Sequence, residues 1–145
     1  MEDLQLNLKL AQGLLEYVIE QARQKFDRPV CVAVCDTYGF LTGFCRADGA
    51  PVRSIALAQQ KAYTSARMGG TTTAFLARLR NEDISIGFFC DPLLTALPGG
   101  ALLADAAGRV LGAIGISGLS PADDQALANA SADFIIQYYA PDGAS

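Results

Sequence analysis

Apolar residues recur at helical spacing at the start of the chain. Leu10, Leu14, Leu15, Val18, Ile19, Ala22 and Phe26 share one face of a helix expected from about Leu8 to Phe26. Asn7 stands where an N-cap belongs, its side chain placed to accept from a free first-turn amide. Pro29 breaks the pattern. Val30 to Cys35 is unbroken apolar and rich in valine, as in a strand buried on both faces. Asp36-Thr37-Tyr38-Gly39 is turn chemistry, and Phe40 to Arg46 returns as the second arm of a hairpin. Alternation puts Phe40, Thr42, Phe44 and Arg46 on one face, and Leu41, Gly43 and Cys45 on the other.

Beyond the loop Asp48-Gly49-Ala50-Pro51, Ser54 is expected to cap a second helix reaching about Met68 and ended by Gly69-Gly70. Its Ala56, Ala58, Ala62 and Ala66 imply close packing. Thr71 to Arg80 reads as a third helix. Ile84 to Phe89 and Leu93 to Leu97 fit either strand or extended loop. Pro98-Gly99-Gly100 reads as a turn with its amides in the open. Ala101 to Ala104 and Val110 to Ser117 then pair across Asp105-Ala106-Ala107-Gly108. The last helix has Ser120 as N-cap, Pro121 at its first position and Asp123 at its third, and runs to about Tyr139. Hairpins joined by helices predict an α+β fold, a layered arrangement of helices on a mainly antiparallel sheet.

At 145 residues the chain fits one domain, 1–145, with no linker or repeat. A domain of this size buries roughly 68–70% of its unfolded surface, enough for a core without staples. Net charge is −4 with no basic cluster, so nucleic acid is not an expected partner. No apolar run approaches the roughly 20 residues of a membrane span, so no membrane partner is expected. Met1 to Lys9 lacks the basic start of a secretory signal, so the expected location is cytoplasmic. Histidine is absent, which removes imidazole acid–base chemistry and the usual zinc and haem ligation.

Four groups could carry chemistry. Arg46 ends a strand beside Asp48 and can grip a carboxylate or phosphate, or can simply shape the turn with Asp48. Lys61 shares a helix face with Thr64 and Ser65. It is an anion anchor or a base if desolvated, and an ordinary solvated lysine otherwise. Ala113, Gly115 and Ser117 face one way on a strand, where glycine admits a ligand or a closely packed helix. Cys31 and Cys35 share a strand face with Cys45 expected nearby. Three thiols could bind a soft metal or sense oxidation, or be small buried hydrophobes.

Taken in order, Val30-Cys31-Val32-Ala33-Val34-Cys35-Asp36-Thr37-Tyr38-Gly39, Arg46-Ala47-Asp48-Gly49-Ala50, Lys61-Ala62-Tyr63-Thr64, Pro98-Gly99-Gly100 and Gly112-Ala113-Ile114-Gly115-Ile116-Ser117-Gly118, with Asp124 in the last helix, resemble the GlcG/HbpS family, also met as the C-terminal domain of PduO-type proteins. The resemblance spans nearly the whole chain. It implies a profilin-like or PAS-like antiparallel sheet flanked by helices, self-association into a homo-oligomer, and a small-molecule ligand, with haem bound by some members and others encoded in catabolic operons. The pocket it implies draws on Arg46, Asp48, Lys61, Thr64, Gly99, Gly100, Gly115, Ser117 and Asp124. The chain departs from the pattern at Leu119, at Asp123-Asp124, at Met68-Gly69-Gly70 and across Ile86-Gly87-Phe88-Phe89-Cys90. Without histidine, haem iron would draw on Cys, Met, Tyr, Lys or Thr.

Three functions follow. One is a binding protein whose Arg46, Lys61 and glycine amides hold a small organic acid or tetrapyrrole propionates. Another is an enzyme that isomerises, tautomerises, hydrates or ring-opens a small carboxylate, with Arg46 holding it and Lys61 or Asp48 moving the proton. The third is an accessory protein with a vestigial site, assembling through its Ala-rich helix and Phe88-Phe89. No metal site is expected.

Overall fold

The computed structural model describes residues 5–138. In chain order it holds α1 (Leu8–Phe26), β1 (Cys31–Cys35), β2 (Leu41–Arg46), α2 (Arg53–Met68), α3 (Thr72–Glu82), a 3-10 turn (Ile86–Phe89), β3 (Gly100–Ala104), β4 (Val110–Ser117) and α4 (Pro121–Tyr138). The four strands form one antiparallel sheet in the order β2-β1-β4-β3. This is the expected α+β layering. The continuous apolar run of β1 is explained by its central position, with both faces covered and every residue buried.

Two cores flank the sheet. On one face Leu14 and Val18 of α1 pack with Val32, Val34, Ile114 and Ile116 of the sheet and Ile135 of α4. On the other face Ala58 and Ala62 of α2 pack on Cys31, Ala33, Cys35 and Ala113. The small residues of α2 let that helix lie unusually close. A Cβ on Gly115 of β4 would stand 2.1 Å from the Ala58 carbonyl oxygen. Glycine is therefore required at Gly115 by the helix itself.

The ends of α1 and α2 follow the sequence closely. Asn7 Oδ1 accepts from the Leu10 amide at 2.8 Å, and Gly69 closes α2 in the left-handed conformation at φ 76°. Two local expectations are corrected. Ser54 does not cap α2, which begins at Arg53 without a side-chain cap; Ser54 lies inside the first turn, facing the sheet. The segment Ile84 to Phe89 is not a strand. Ser85 accepts from the Gly87 amide and starts a 3-10 turn that Cys90 ends at φ 54°, so its apolar residues pack on Phe75 and Leu79 without pairing. Leu93 to Leu97 is likewise irregular. Helix α4 starts at Pro121 as expected, with the Asp123 amide donating to Ser120 Oγ; Tyr139 lies outside the described residues. No helix among the described residues is long and apolar enough to cross a membrane.

Candidate functional site

Lys61 is fully buried. It leaves α2 on one face of the sheet and reaches Asp124 of α4, which packs on the other. The Lys61 Nζ donates to Asp124 Oδ2 at 2.9 Å and to the Ile116 carbonyl at 2.8 Å. The side chain passes beside Gly99, where a Cβ would stand 2.8 Å from both Cδ and Nζ. Gly99 thus opens the passage through which Lys61 joins the two layers. Burial pulls the Lys61 ammonium below its ordinary value, and Asp124 acts against that shift. Burial likewise pushes the Asp124 carboxyl up, opposed by Lys61 and by the Leu119 and Gly118 amides.

The glycine amides are not in the open, contrary to the expectation for a turn. The Gly99 amide donates to Gln125 Oε1 and the Gly100 amide to Thr72 Oγ1, each at 2.9 Å. Gln125 Nε2 returns a bond to the Gly100 carbonyl. The first strand residue after the turn is thereby clamped between α3 and α4. Thr64 Oγ1 accepts from the Thr95 amide at 2.9 Å and ties the loop after Cys90 to α2. Ser117 Oγ donates to Ser54 Oγ at 3.1 Å, joining β4 to α2.

The structure therefore brings Lys61, Asp124, Gly99, Gly100 and Gly115 together, in a packed junction. Arg46 and Asp48 stand apart from it, exposed at the end of the β1–β2 hairpin. Arg46 donates from Nε and Nη2 to the Ala50 carbonyl, which holds the loop Ala47–Ala50 in shape. The cysteines also separate. Cys45 pairs with Val32 and packs on the α1 face, whereas Cys31 and Cys35 face α2. The pleat explains this: Cys45 sits one register from Cys31, and a shift of one residue changes faces. Among the described residues no three acidic, cysteine or histidine side chains cluster as a metal site.

The opening in the surface lies elsewhere. A cleft of about 310 Å³ runs between the β1–β2 turn and the outer face of α2. Its walls include Cys35, Leu41, Ile55, Gln59, Tyr63 and Leu93. Along α2, Ala56, Gln59, Gln60 and Tyr63 recur three and four apart, so they form one outward stripe. Tyr63 is held at the rim. Its Oη donates to Asp91 Oδ2 at 2.6 Å, and the Arg67 guanidinium lies over its ring, 4.7 Å from the centroid. Arg67 Nε donates to the Tyr38 carbonyl at 2.7 Å. Gly39, at φ 94°, passes under the ring, where a Cβ would stand 2.7 Å from Cδ2.

Of the residues singled out from sequence as carrying chemistry, Cys35 lines this cleft, and none of the expected anion-pocket residues does, although Lys61-Ala62-Tyr63-Thr64 contains Tyr63. The signal was present in that motif: Tyr63 interrupts an otherwise small inner pattern and falls on the opposite helix face from Lys61.

Comparison with known proteins agrees with this architecture. No curated protein matches the sequence. Among solved structures, a double mutant of HbpS from Streptomyces reticuli superposes with a TM-score of 0.79 at 29% identity, over 93% of this chain and 90% of that one. The PduOC:heme complex gives 0.78 at 26% identity, over 90% and 94%. The Klebsiella pneumoniae protein ORFY shares the fold, at 0.78 and 23% identity over 92% of each chain. The family model described as haem degrading protein HbpS-like matches residues 6–133, and with that match the chain belongs to the HbpS-like family.

Proposed function

We propose that the protein binds a flat, mostly apolar molecule carrying an acidic group, of the tetrapyrrole class, in the cleft between the β1–β2 turn and α2. The observation that carries this reading is the cleft itself: mostly apolar walls from three separate segments, with the Arg67 guanidinium over Tyr63 at the rim, beside the Asp91 carboxylate. Arg67 makes its one side-chain hydrogen bond to the described residues through Nε. Its Nη groups make no hydrogen bond to the described residues, and although the guanidinium also acts electrostatically on Asp91, they remain available to a carboxylate. Lys61, by contrast, could take a ligand anion only by exchanging it for Asp124. This moves the anionic contact from Lys61 and the glycine amides to Arg67.

Haem, which the PduOC relative holds and the family description names, suits this donor set. The apolar walls match a macrocycle face, Arg67 matches a propionate, and Cys35 and Tyr63 are the thiol and phenol at the cleft. When bound, haem supplies an iron centre. The chain's own residues desolvate the ring with Leu41, Ile55 and Leu93 and orient it through Arg67. Titration with hemin, followed by absorbance, tests the reading. Wild type is expected to saturate at one per chain, with Ile55→Asp and Arg67→Gln weakening binding about tenfold each. Full binding by both variants with the fold intact overturns it. Self-association is also part of the proposal: Phe40 and Leu41 are 66% and 54% exposed at edge strand β2, and light scattering reads the mass.

A further inference from the structure

Resting on the cleft reading above, we propose that Tyr63 is the residue that ligates haem iron in this histidine-free chain, through its phenolic oxygen. The alternatives named by composition fall away one at a time. Lys61 is buried in its pair with Asp124, and Thr64 is buried and bonded to the Thr95 amide. Met68 packs with Phe75 and Leu79 under α3. Cys35 touches the cleft, but it is 2% exposed, whereas Tyr63 is half-buried at the rim, so the thiol is the less accessible of the two. Among the described residues lining the cleft, Tyr63 is the remaining strong donor.

Its surroundings fix where the oxygen lies. The phenol donates to Asp91 at 2.6 Å. That bond, burial and the Asp91 charge hold the phenol above its ordinary value while Arg67 acts the other way, so ferric iron must displace the proton against that shift. Ligation breaks that O–H bond and forms an iron–oxygen bond. The proton passes by way of Asp91 to solvent, and the iron stays ferric. Arg67 against the ring face offsets the charge that the phenolate brings. Gly39 beneath the ring and Asp91 at its tip fix the oxygen at the rim, so Asp91 is a positioning residue.

The test compares ferric haem with metal-free protoporphyrin IX on the full chain, using Tyr63→Phe and Tyr38→Phe. Tyr38 is the nearby exposed control, 70% exposed and outside the cleft wall. Resonance Raman of the wild-type complex is expected to show iron-bound tyrosinate modes, lost in Tyr63→Phe and kept in Tyr38→Phe. Ferric haem affinity is expected to fall about tenfold or more in Tyr63→Phe, while metal-free porphyrin binding stays unchanged. If wild type binds both porphyrins without tyrosinate modes, or if Tyr63→Phe keeps them, the ligand assignment is overturned and the cleft stands. If neither porphyrin binds wild type, the cleft reading fails with it.

Discussion

Lys61 and Asp124 meet at 2.9 Å with 0% and 3% of their side chains exposed, and they come from helices on opposite faces of the sheet. A pair this deep is more a constraint than a source of stability, since taking both charges out of water offsets most of their attraction. Removing one partner is a different matter. Lys61→Met leaves the Asp124 carboxyl buried without its cation and is expected to lower unfolding free energy by about 3–5 kcal/mol. The double variant with Asp124→Asn, which still accepts from the Leu119 amide, is expected to cost clearly less than the two single changes summed. Urea denaturation of the four proteins measures the coupling, and strict additivity would contradict the pairing.

The close approach of α2 to β4 sets a second expectation. Gly115→Ala places a methyl 2.1 Å from the Ala58 carbonyl oxygen and 2.5 Å from the Ala62 amide nitrogen. Both neighbours are backbone, so the helix must move. The expected loss is about 3 kcal/mol or more. Gly70→Ala meets nothing within 4 Å and is expected to stay within about 0.5 kcal/mol of wild type. Thermal or urea unfolding reads both.

Much of this was legible in the chain. The α1 stripe, the double-sided burial of β1 and the glycine end of α2 are local signals, and the structure keeps them. The small residues Ala58, Ala62 and Ser65 around Lys61 also hinted at a lysine facing inward, because such neighbours make close packing possible. Lys61's partner was harder to read. Asp124 is 63 residues away, and an acidic residue in a helix's first turn has an ordinary dipole explanation. The cleft was illegible for a similar reason. Its walls come from Cys35, Ile55 and Leu93, and only the sheet register and the irregular path after Cys90 bring them together.

The Cys35 thiol carries a pH signature. Burial raises its folded value from 9.0 to about 12, so the unfolded chain ionises first. Stability from this group is complete below pH 9 and is lost as pH rises from 9 toward 12, by roughly 1.4 kcal/mol per pH unit. Cys35→Ala is expected to flatten this part of the stability–pH curve, whatever constant offset it adds. Equal slopes for the two proteins in denaturant titrations at pH 8 to 11 would refute the account.

Thiol labelling should divide the cysteines by layer. Cys90 is exposed, whereas Cys31 and Cys35 are buried and both thiols are pushed up by desolvation. A disulfide reagent at pH 8 is expected to modify Cys90 first and to reach Cys31 and Cys35 only on unfolding. Peptide mapping of the modified protein identifies the sites. Rapid native labelling of Cys35 would mean that its wall of the cleft opens.

Gly39 gives a test of the rim. Gly39→Ala forces a left-handed φ of 94° on alanine and sets its methyl 2.7 Å from the Tyr63 ring. The strain is of order 1–3 kcal/mol, and the ring must shift. Hemin affinity is expected to drop while far-UV circular dichroism is retained. Unchanged affinity would show that the ligand does not depend on the placement of Tyr63.

Helix α2 has two unrelated faces. Ser54, Ala58, Lys61, Ala62 and Ser65 are bound into the sheet and the second layer, while Ala56, Gln59, Gln60 and Tyr63 look outward onto the cleft. On the proposed reading of the cleft, foldability and ligand choice therefore rest on different residues of the same helix. Substitutions in the outward set would change the molecule bound and leave the inward set, and with it the fold, untouched.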